Sequence, residues 1–327
     1  MVEAAIERSA SFNSRLRAHN QQQKYLCIGL DTNADTLRGL DQAQPFIERE
    51  LTAFGSDLES DDNLVYAHNL MVIDTTADIV AAYKPNVAFY RKLGEFGFET
   101  LEDTFQAVKR HKANPLTILD AKVGDIDSTN DGYVEESFDI LQADALTVHN
   151  YLGQKAMQPF LDRTDKGIFV LARTSNPGGG EFQDLSVRLT HKELQALLNG
   201  PARQRGSTEG WNPTMPLYEH VTHRVVNHWD TNRNCGIVAG ATYPDEAERI
   251  RFITGSDVPL LIPGVGAQGQ TAEVIVPKAL RIGQLGIINS SRGSIYPKRQ
   301  EGESMIGAVR RSALKASQEI IDAQRLP

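Results

Sequence analysis

Cysteine is nearly absent: Cys27 and Cys235 are the only two in 327 residues. They lie far apart, each in an apolar, strand-like stretch. A disulfide framework is therefore excluded, and buried reduced thiols are expected. A basic excess is also missing. The 34 lysines and arginines face 42 aspartates and glutamates, for a net charge of −8, which argues against the broad cationic surface that nucleic-acid binding relies on. A local basic pocket for a small phosphate survives that exclusion. No run of about 18 consecutive apolar residues occurs, so no membrane span is expected. The opening MVEAAIERSASFNSRLR carries two glutamates and no apolar core, unlike a secretory leader, so a cytoplasmic location is expected. The motifs G-x-x-x-x-G-K-[ST], G-x-S-x-G, H-E-x-x-H and C-x-x-C are all missing. With them go the P-loop, the hydrolase nucleophile elbow, the zinc-protease site and the dithiol redox centre.

What is present is alternation. Short apolar runs at 25–32, 115–122, 145–150, 167–174, 234–242, 259–266 and 285–293 read as strands. An eighth, first drawn at 83–90, is better placed on VAAYK (80–84), because Pro85 then ends it. The runs are continuously hydrophobic, as in parallel strands covered on both faces. Helical periodicity fills 67–82, 99–113, 128–141, 153–161, 243–254, 270–281 and 302–323. Eight such units favour a closed (β/α)₈ TIM barrel over an open doubly wound sheet. The surplus length falls in two insertions, 40–63 and 176–233, and with no internal repeat or low-complexity linker the chain reads as one domain, 1–327.

Polar residues then collect where barrel chemistry is done, at the C-terminal strand ends. Asp31 follows the first strand, Lys84 ends the second, and LDAKVGDIDST (119–129) ends the third. Asn150, Thr174-Ser175, Gly264-Val265-Gly266 and Ser291-Arg292-Gly293 end later ones. Strand alternation points Asp120 and Lys122 the same way, into the mouth. Asp125 lies just beyond, before a helix that Asp127, Ser128 or Thr129 is placed to cap. An isolated D-x-K reads as a structural ion pair. With Lys84 beside it, the alternating array reads as catalytic. An ammonium among carboxylates suits proton delivery and charge stabilisation better than imine formation, which needs a depressed pKa. IPGVGAQGQ (262–270) formally holds G-x-G-x-x-G, but it sits in the seventh unit and lacks the acidic residue about 20 positions on. Within a barrel it reads instead as half of a phosphate site, with Arg292 as the fork. His220, His223 and His228 match no metal-ligand spacing and read as a solvated helix face; no metal is expected.

These stretches, together with CIGLDT, AAYKPNVAFY, TVHNYLG, LARTSNPGGGEFQDL and INSSRGSIY, resemble the orotidine 5′-phosphate decarboxylases, in particular their longer bacterial branch. The likeness keeps the family's order and covers most of residues 25–320. It implies decarboxylation of orotidine 5′-phosphate to UMP in pyrimidine synthesis, without cofactor, by a homodimer. It implies that Lys84, Asp120, Lys122 and Asp125 form the catalytic charge network, with Asp125, Ile126 and Thr129 reaching the partner's site. By the same resemblance Asp31 binds ribose hydroxyls together with Lys84, Ser175 addresses the pyrimidine edge, and Gln268 bridges base and phosphate. Gly266, Ser291 and Arg292 hold the phosphate, and Asn150 belongs to the substrate-binding set. The chain departs from the family at Val123, Asp127 and Thr32-Asn33, none in a proposed catalytic role. Two other readings stand beside this one: a metal-dependent sugar-phosphate decarboxylase on a related barrel, disfavoured because strand 2 ends in Lys84 and not in a further acid, and a nucleotide-binding barrel without activity. No fused phosphoribosyltransferase is expected at this length.

Overall fold

Phe12 explains why only one end of the molecule is open. It lies on the helix Phe12–Gln21, which Ser11 caps by accepting from the Ser14 N–H. Phe12 and Leu16 are fully buried in one cluster with Cys27, Ala82, Leu116, Ile118, Ala145, Phe169, Val238, Leu261 and Ile287. Phe12 meets Phe169 edge-to-face at 5.6 Å, and a side chain at Gly167 would collide with its ring. This helix therefore plugs the N-terminal end of a barrel. Burying Phe12 contributes about 2–3 kcal/mol, and Arg15 anchors the plug by pairing with the buried carboxylate of Asp144.

The structure is a computed structural model that describes residues 10–43, 47–55, 57–190, 193, 214–266 and 269–326. Eight parallel strands close the barrel: β1 Leu26–Leu30, β2 Ala82–Pro85, β3 Leu116–Val123, β4 Ala145–Val148, β5 Gly167–Arg173, β8 Cys235–Ala239, β9 Leu260–Pro263 and β10 Gly286–Ser290, in the order β1-β10-β9-β8-β5-β4-β3-β2. The expected TIM barrel is thus the observed architecture. Two short strands, β6 Ser186–Arg188 and β7 Thr214–Pro216, form a separate antiparallel pair. No described helix is long and apolar enough to cross a membrane. Cys27 and Cys235 are free and buried.

Several boundaries differ from the sequence reading. The helix expected at 67–82 runs Asp61–Thr76, because Asp61 and Asp62 favour a helix N-terminus and the polar start was mistaken for loop. The insertion 176–233 carries secondary structure among its described residues. It holds the antiparallel pair β6 and β7, and its end is the barrel helix Leu217–Arg224, continued by a π-turn through Trp229. His220, His223 and His228 lie there, but only His228 is exposed. His223 is half buried, and burial pushes its pKa down to about 4. Among the described residues no cluster of acidic, histidine or cysteine side chains is arranged to hold a metal. The expected cap at 127–129 is also corrected. The helix Asp127–Val134 has Ile126 at its N-cap with no side-chain bond, and Asn130 organises the turn instead.

Candidate active site

Asp120 is the hub of the open end. It is buried, and its Oδ2 accepts from Lys84 Nζ at 2.7 Å while its Oδ1 accepts from Lys122 Nζ at 2.6 Å. Thr147 Oγ1 donates to Oδ1 at 2.9 Å and Asn86 Nδ2 to Oδ2 at 3.3 Å. Four donors on one carboxylate leave it no freedom to turn. Burial opposes charge on Asp120, but Lys84 and Lys122 outweigh it and hold the carboxyl well below the usual range. Burial likewise works against the Lys84 ammonium, yet Asp120 and Asp31 outweigh it and hold its pKa above the ordinary 10.5. Each charge keeps the other in place.

Asn86 and Thr147 were not singled out in the sequence. Thr147 was findable, since it follows Ala145 by two on a strand whose inward residues are Ala145 and Thr147. Asn86 was hidden behind Pro85. It caps the helix Val87–Arg91 by accepting from the Ala88 N–H, and so turns its amide N–H₂ toward Asp120.

Lys122 meets Asp120 by a route that simple alternation does not describe. The β3–β4 register shifts between Leu119 and Val123, and Lys122 has a φ of 50°. Left-handed backbone costs a non-glycine residue about 1 kcal/mol. Its N–H is held by Thr147 Oγ1 at 3.1 Å. The bulge leaves the amine at the mouth, with the Lys122 side chain 47% exposed while that of Lys84 is 5% exposed. Lys84 is enclosed beside Asp120, whereas the Lys122 side chain reaches the open end.

Asp125 is not part of this cluster within one chain. It forms no ion pair among the described residues, and its Oδ1 accepts from the Ile126 N–H at 2.7 Å. Asn130 clamps the turn, accepting from the Asp125 N–H at 2.8 Å and donating to the carbonyls of Asp125 and Ala156 at 2.6 Å each. Ile126 is 58% exposed and Thr129 is exposed, and Tyr151, after β4, is 91% exposed. Asn150, at the end of β4, donates to the Leu171 carbonyl at 3.2 Å and so ties β4 to β5.

Asp31 sits on a turn fixed from behind. Thr32 Oγ1 donates to Asn69 Oδ1 at 2.6 Å, and the Asn33 N–H donates to the Tyr296 hydroxyl at 2.6 Å. His68 Nε2 donates to the Ile295 carbonyl at 3.0 Å, and its ring stacks on Tyr296. Of the two departures, Thr32 thus joins the Asp31 turn to the helix Asp61–Thr76, and Asn33 joins it to Tyr296 after β10. Burial pushes His68 down to about 4 from 6.5. The unfolded chain therefore binds a proton that the folded one refuses, so this contribution is present above pH 6.5 and is lost as pH falls toward 4. Stability to urea should drop by about 3 kcal/mol over that window on account of this group. His68→Gln should flatten the slope by one proton's worth; an unchanged slope would show that His68 is charged in the fold.

Ser175 is placed by a clasp that the sequence did not announce. Arg173 is 2% exposed. It lies 3.6 Å over the Tyr243 ring and donates to Asp184 at 3.0 Å and to Gln183 at 3.3 Å, binding the loop 174–184 back on itself. Ser175 rests on Gly240 and Gly264. Of the phosphate candidates, Gly264 and Gly266 have φ of 96° and 124°. Gly269 packs against the Gly264 carbonyl so closely that a Cβ would overlap it. Ser291 precedes the short helix Arg292–Ile295, and Arg292 is exposed with no ion pair among the described residues. Gln268 lies outside the described residues.

The sequence profile of the orotidine 5′-phosphate decarboxylase / HUMPS family matches residues 24–303. An orotidine 5′-phosphate decarboxylase of Herpetosiphon aurantiacus is 36% identical over 298 residues, 90% of this chain and 92% of its own. The structure of the Leishmania donovani OMP decarboxylase matches with a TM-score of 0.72 at 28% identity, over 97% of this chain and 100% of that one. The Leishmania donovani UMP synthase matches with a TM-score of 0.73 at 29% identity, over 96% of this chain and 57% of that one. With the profile covering most of its length and a relative alike along nine-tenths of it, the chain belongs to the orotidine 5′-phosphate decarboxylase / HUMPS family.

Proposed function

We propose that the protein converts orotidine 5′-phosphate to UMP in pyrimidine biosynthesis, as a cytoplasmic homodimer and without cofactor. The observation that carries this reading is the chain Lys84–Asp120–Lys122 at the barrel mouth. Loss of carbon dioxide from C6 of the pyrimidine leaves an electron pair with no ordinary sink. The Lys122 ammonium, fixed by Asp120, faces that carbon, stabilises the developing charge and then gives it a proton. Asp120 lies by the departing carboxylate; destabilisation of the ground state by that contact is a secondary contribution. Asp31 and Lys84 take the ribose hydroxyls, Ser175 the base edge, and Gly266, Gln268, Ser291 and Arg292 the base-to-phosphate side. Phosphate binding, remote from C6, supplies energy to close the site.

Asp125, Ile126 and Thr129 serve the partner's site in this reading. The support is that Asp125 finds no cation in its own chain among the described residues, while Ile126 in the loop after β3 and Tyr151 and Leu152 in the loop after the adjacent β4 are exposed. An exposed apolar group of that kind marks a contact surface.

The test is absorbance loss on orotidine 5′-phosphate with and without EDTA. Turnover that EDTA does not affect is expected. EDTA-sensitive activity confined to a sugar phosphate, or tight UMP binding without turnover, would overturn the assignment. In the same assay Arg292→Ala should weaken phosphorylated ligands by about tenfold to a hundredfold, the scale of one charge-assisted pair, and leave nucleosides unchanged. Equal loss for nucleoside and nucleotide would remove Arg292 from the phosphate site.

A further inference from the structure

The seam between β1 and β10 carries two buried oxygens with nothing to receive. Along β10, Ile287 belongs to the interior plug, and side chains two and four residues on share its inward face. Those are Asn289 and Ser291. Asn289 stands beside Cys27 of β1 and Pro263 of β9 in the register, at the top of the apolar plug and below the mouth. It is 6% exposed. Its Nδ2 donates to Ser291 Oγ at 3.2 Å. Its Oδ1 is buried and has no hydrogen-bond partner among the described residues, and the same is true of Asp31 Oδ1.

Gly29 places Ser291, the partner of Asn289, and Asp31 on one patch. A Cβ built there would lie 2.1 Å from Ser291 Oγ and 3.3 Å from Asp31 Oδ2. The absent side chain thus leaves room between Asp31, Ser291 and the amide of Asn289. A barrel layer bordered by Ile287 and Leu261 has no packing need for an amide, and an unmet acceptor in such a place is unfavourable unless a donor arrives. Asp31 and Asn289 both border Ser291, and unmet acceptors on either side of one hydroxyl call for a ligand with more than one hydroxyl donor, as a ribose has. The hydrogen bond from Nδ2 also fixes Ser291 Oγ as an acceptor from within, so that its own proton points to a ligand oxygen.

We propose that Asn289 is a substrate-binding residue, its side-chain oxygen accepting from one ribose hydroxyl while its N–H₂ sets the Ser291 hydroxyl as a donor toward the phosphate side. This rests on the nucleotide decarboxylase reading above. The experiment is a binding cycle with UMP, 2′-deoxy-UMP and 3′-deoxy-UMP on the wild type, Asn289→Leu and Asn289→Asp, with thermal melting of each protein. One deoxy analogue should bind the wild type about tenfold or more weakly than UMP, the scale of one hydrogen bond. Asn289→Leu should bind UMP weaker by a similar factor and show no further penalty for that analogue. Asn289→Asp keeps an acceptor but cannot donate to Ser291, so it should retain the penalty while losing affinity for nucleotides more than for uridine. If Asn289→Leu does not fold, the aspartate variant decides: loss of the hydroxyl penalty there overturns the proposal. Equal penalties in the wild type and the leucine variant for both analogues overturn it as well, and with orotidine 5′-phosphate turnover intact they do so without touching the decarboxylase assignment. A wild type that neither binds UMP nor turns over the substrate overturns both.

Discussion

Lys122→Ala is expected to lower kcat by about four orders of magnitude or more while the affinity for UMP stays within about tenfold of wild type. The size follows from two functions lost together, a preorganised charge worth about 10²–10³ and a positioned proton donor worth about 10²–10⁴. The selectivity follows from where the side chain stands. Its amine contacts Asp120 at 2.6 Å yet the side chain is 47% exposed, so truncation strips little buried surface. Asp120 keeps Lys84, Asn86 and Thr147 as donors, and the carboxylate is not left unpaired. Folding stability should therefore change little, and the melting temperature should stay within a few degrees. The left-handed backbone at this position costs alanine about what it costs lysine, which removes backbone relaxation as a confounding effect. Steady-state kinetics, a UMP titration and a thermal melt on one preparation check all three. Turnover within tenfold of wild type would end the role assigned to Lys122, and a matching collapse of UMP affinity would recast it as a binding residue.

How much of this was legible without coordinates depends on what kind of signal each residue leaves. The barrel was legible because parallel strands buried on both faces leave continuous apolar runs, and eight of them in alternation with helices admit few architectures. Lys84, Asp120 and Lys122 were legible because charge at the end of an apolar strand is costly and so stands out. The bulge at Lys122 was not. A positive φ at a lysine contradicts the local rule that assigns it to glycine, and it is stabilised by Thr147 on the neighbouring strand. The same limit hid Asn86, Arg173 and Asn289. Their roles are set by partners distant in the chain or by a turn that propensity does not describe, as with Arg173 stacked on Tyr243, seventy positions away in sequence. The plug helix was missed for another reason. Phe12 and Leu16 stand in a mostly polar stretch with no strong local signal, whereas their burial is decided by the open bottom of the barrel.

Asp120→Asn should cost both activity and fold, and the pH dependence of the second loss identifies its cause. The substitution is nearly isosteric, so no cavity arises. What changes is that Lys84, 4% exposed, loses the carboxylate that offsets its burial. For the ammonium, burial is the largest influence and Asp120 the next, so removing Asp120 lets burial prevail and drives the folded pKa below 10.5. Leaving one partner of a buried pair uncompensated costs about 3–5 kcal/mol. In the wild type, Asp120 contributes stability that is present above about 3.8 and lost only as pH falls through its depressed folded value. Lys84 contributes stability present below 10.5 and lost only as pH rises through its raised one. Between about pH 5 and 10 the wild-type cluster therefore adds no slope. In the variant the sign reverses for Lys84: the unfolded chain holds a proton that the folded one gives up, so stability rises with pH between the lowered pKa and 10.5. Urea unfolding at pH 7 and pH 9 should show the variant gaining while the wild type holds level. Adding Lys84→Met, which removes the stranded charge, should restore most of the lost stability at pH 7 and abolish the slope, with turnover still absent because Lys122 has lost the anion that positions it. A deficit that neither pH nor the second substitution reduces would mean that Asp120 supports the barrel through Thr147 and Asn86, and not through the lysines.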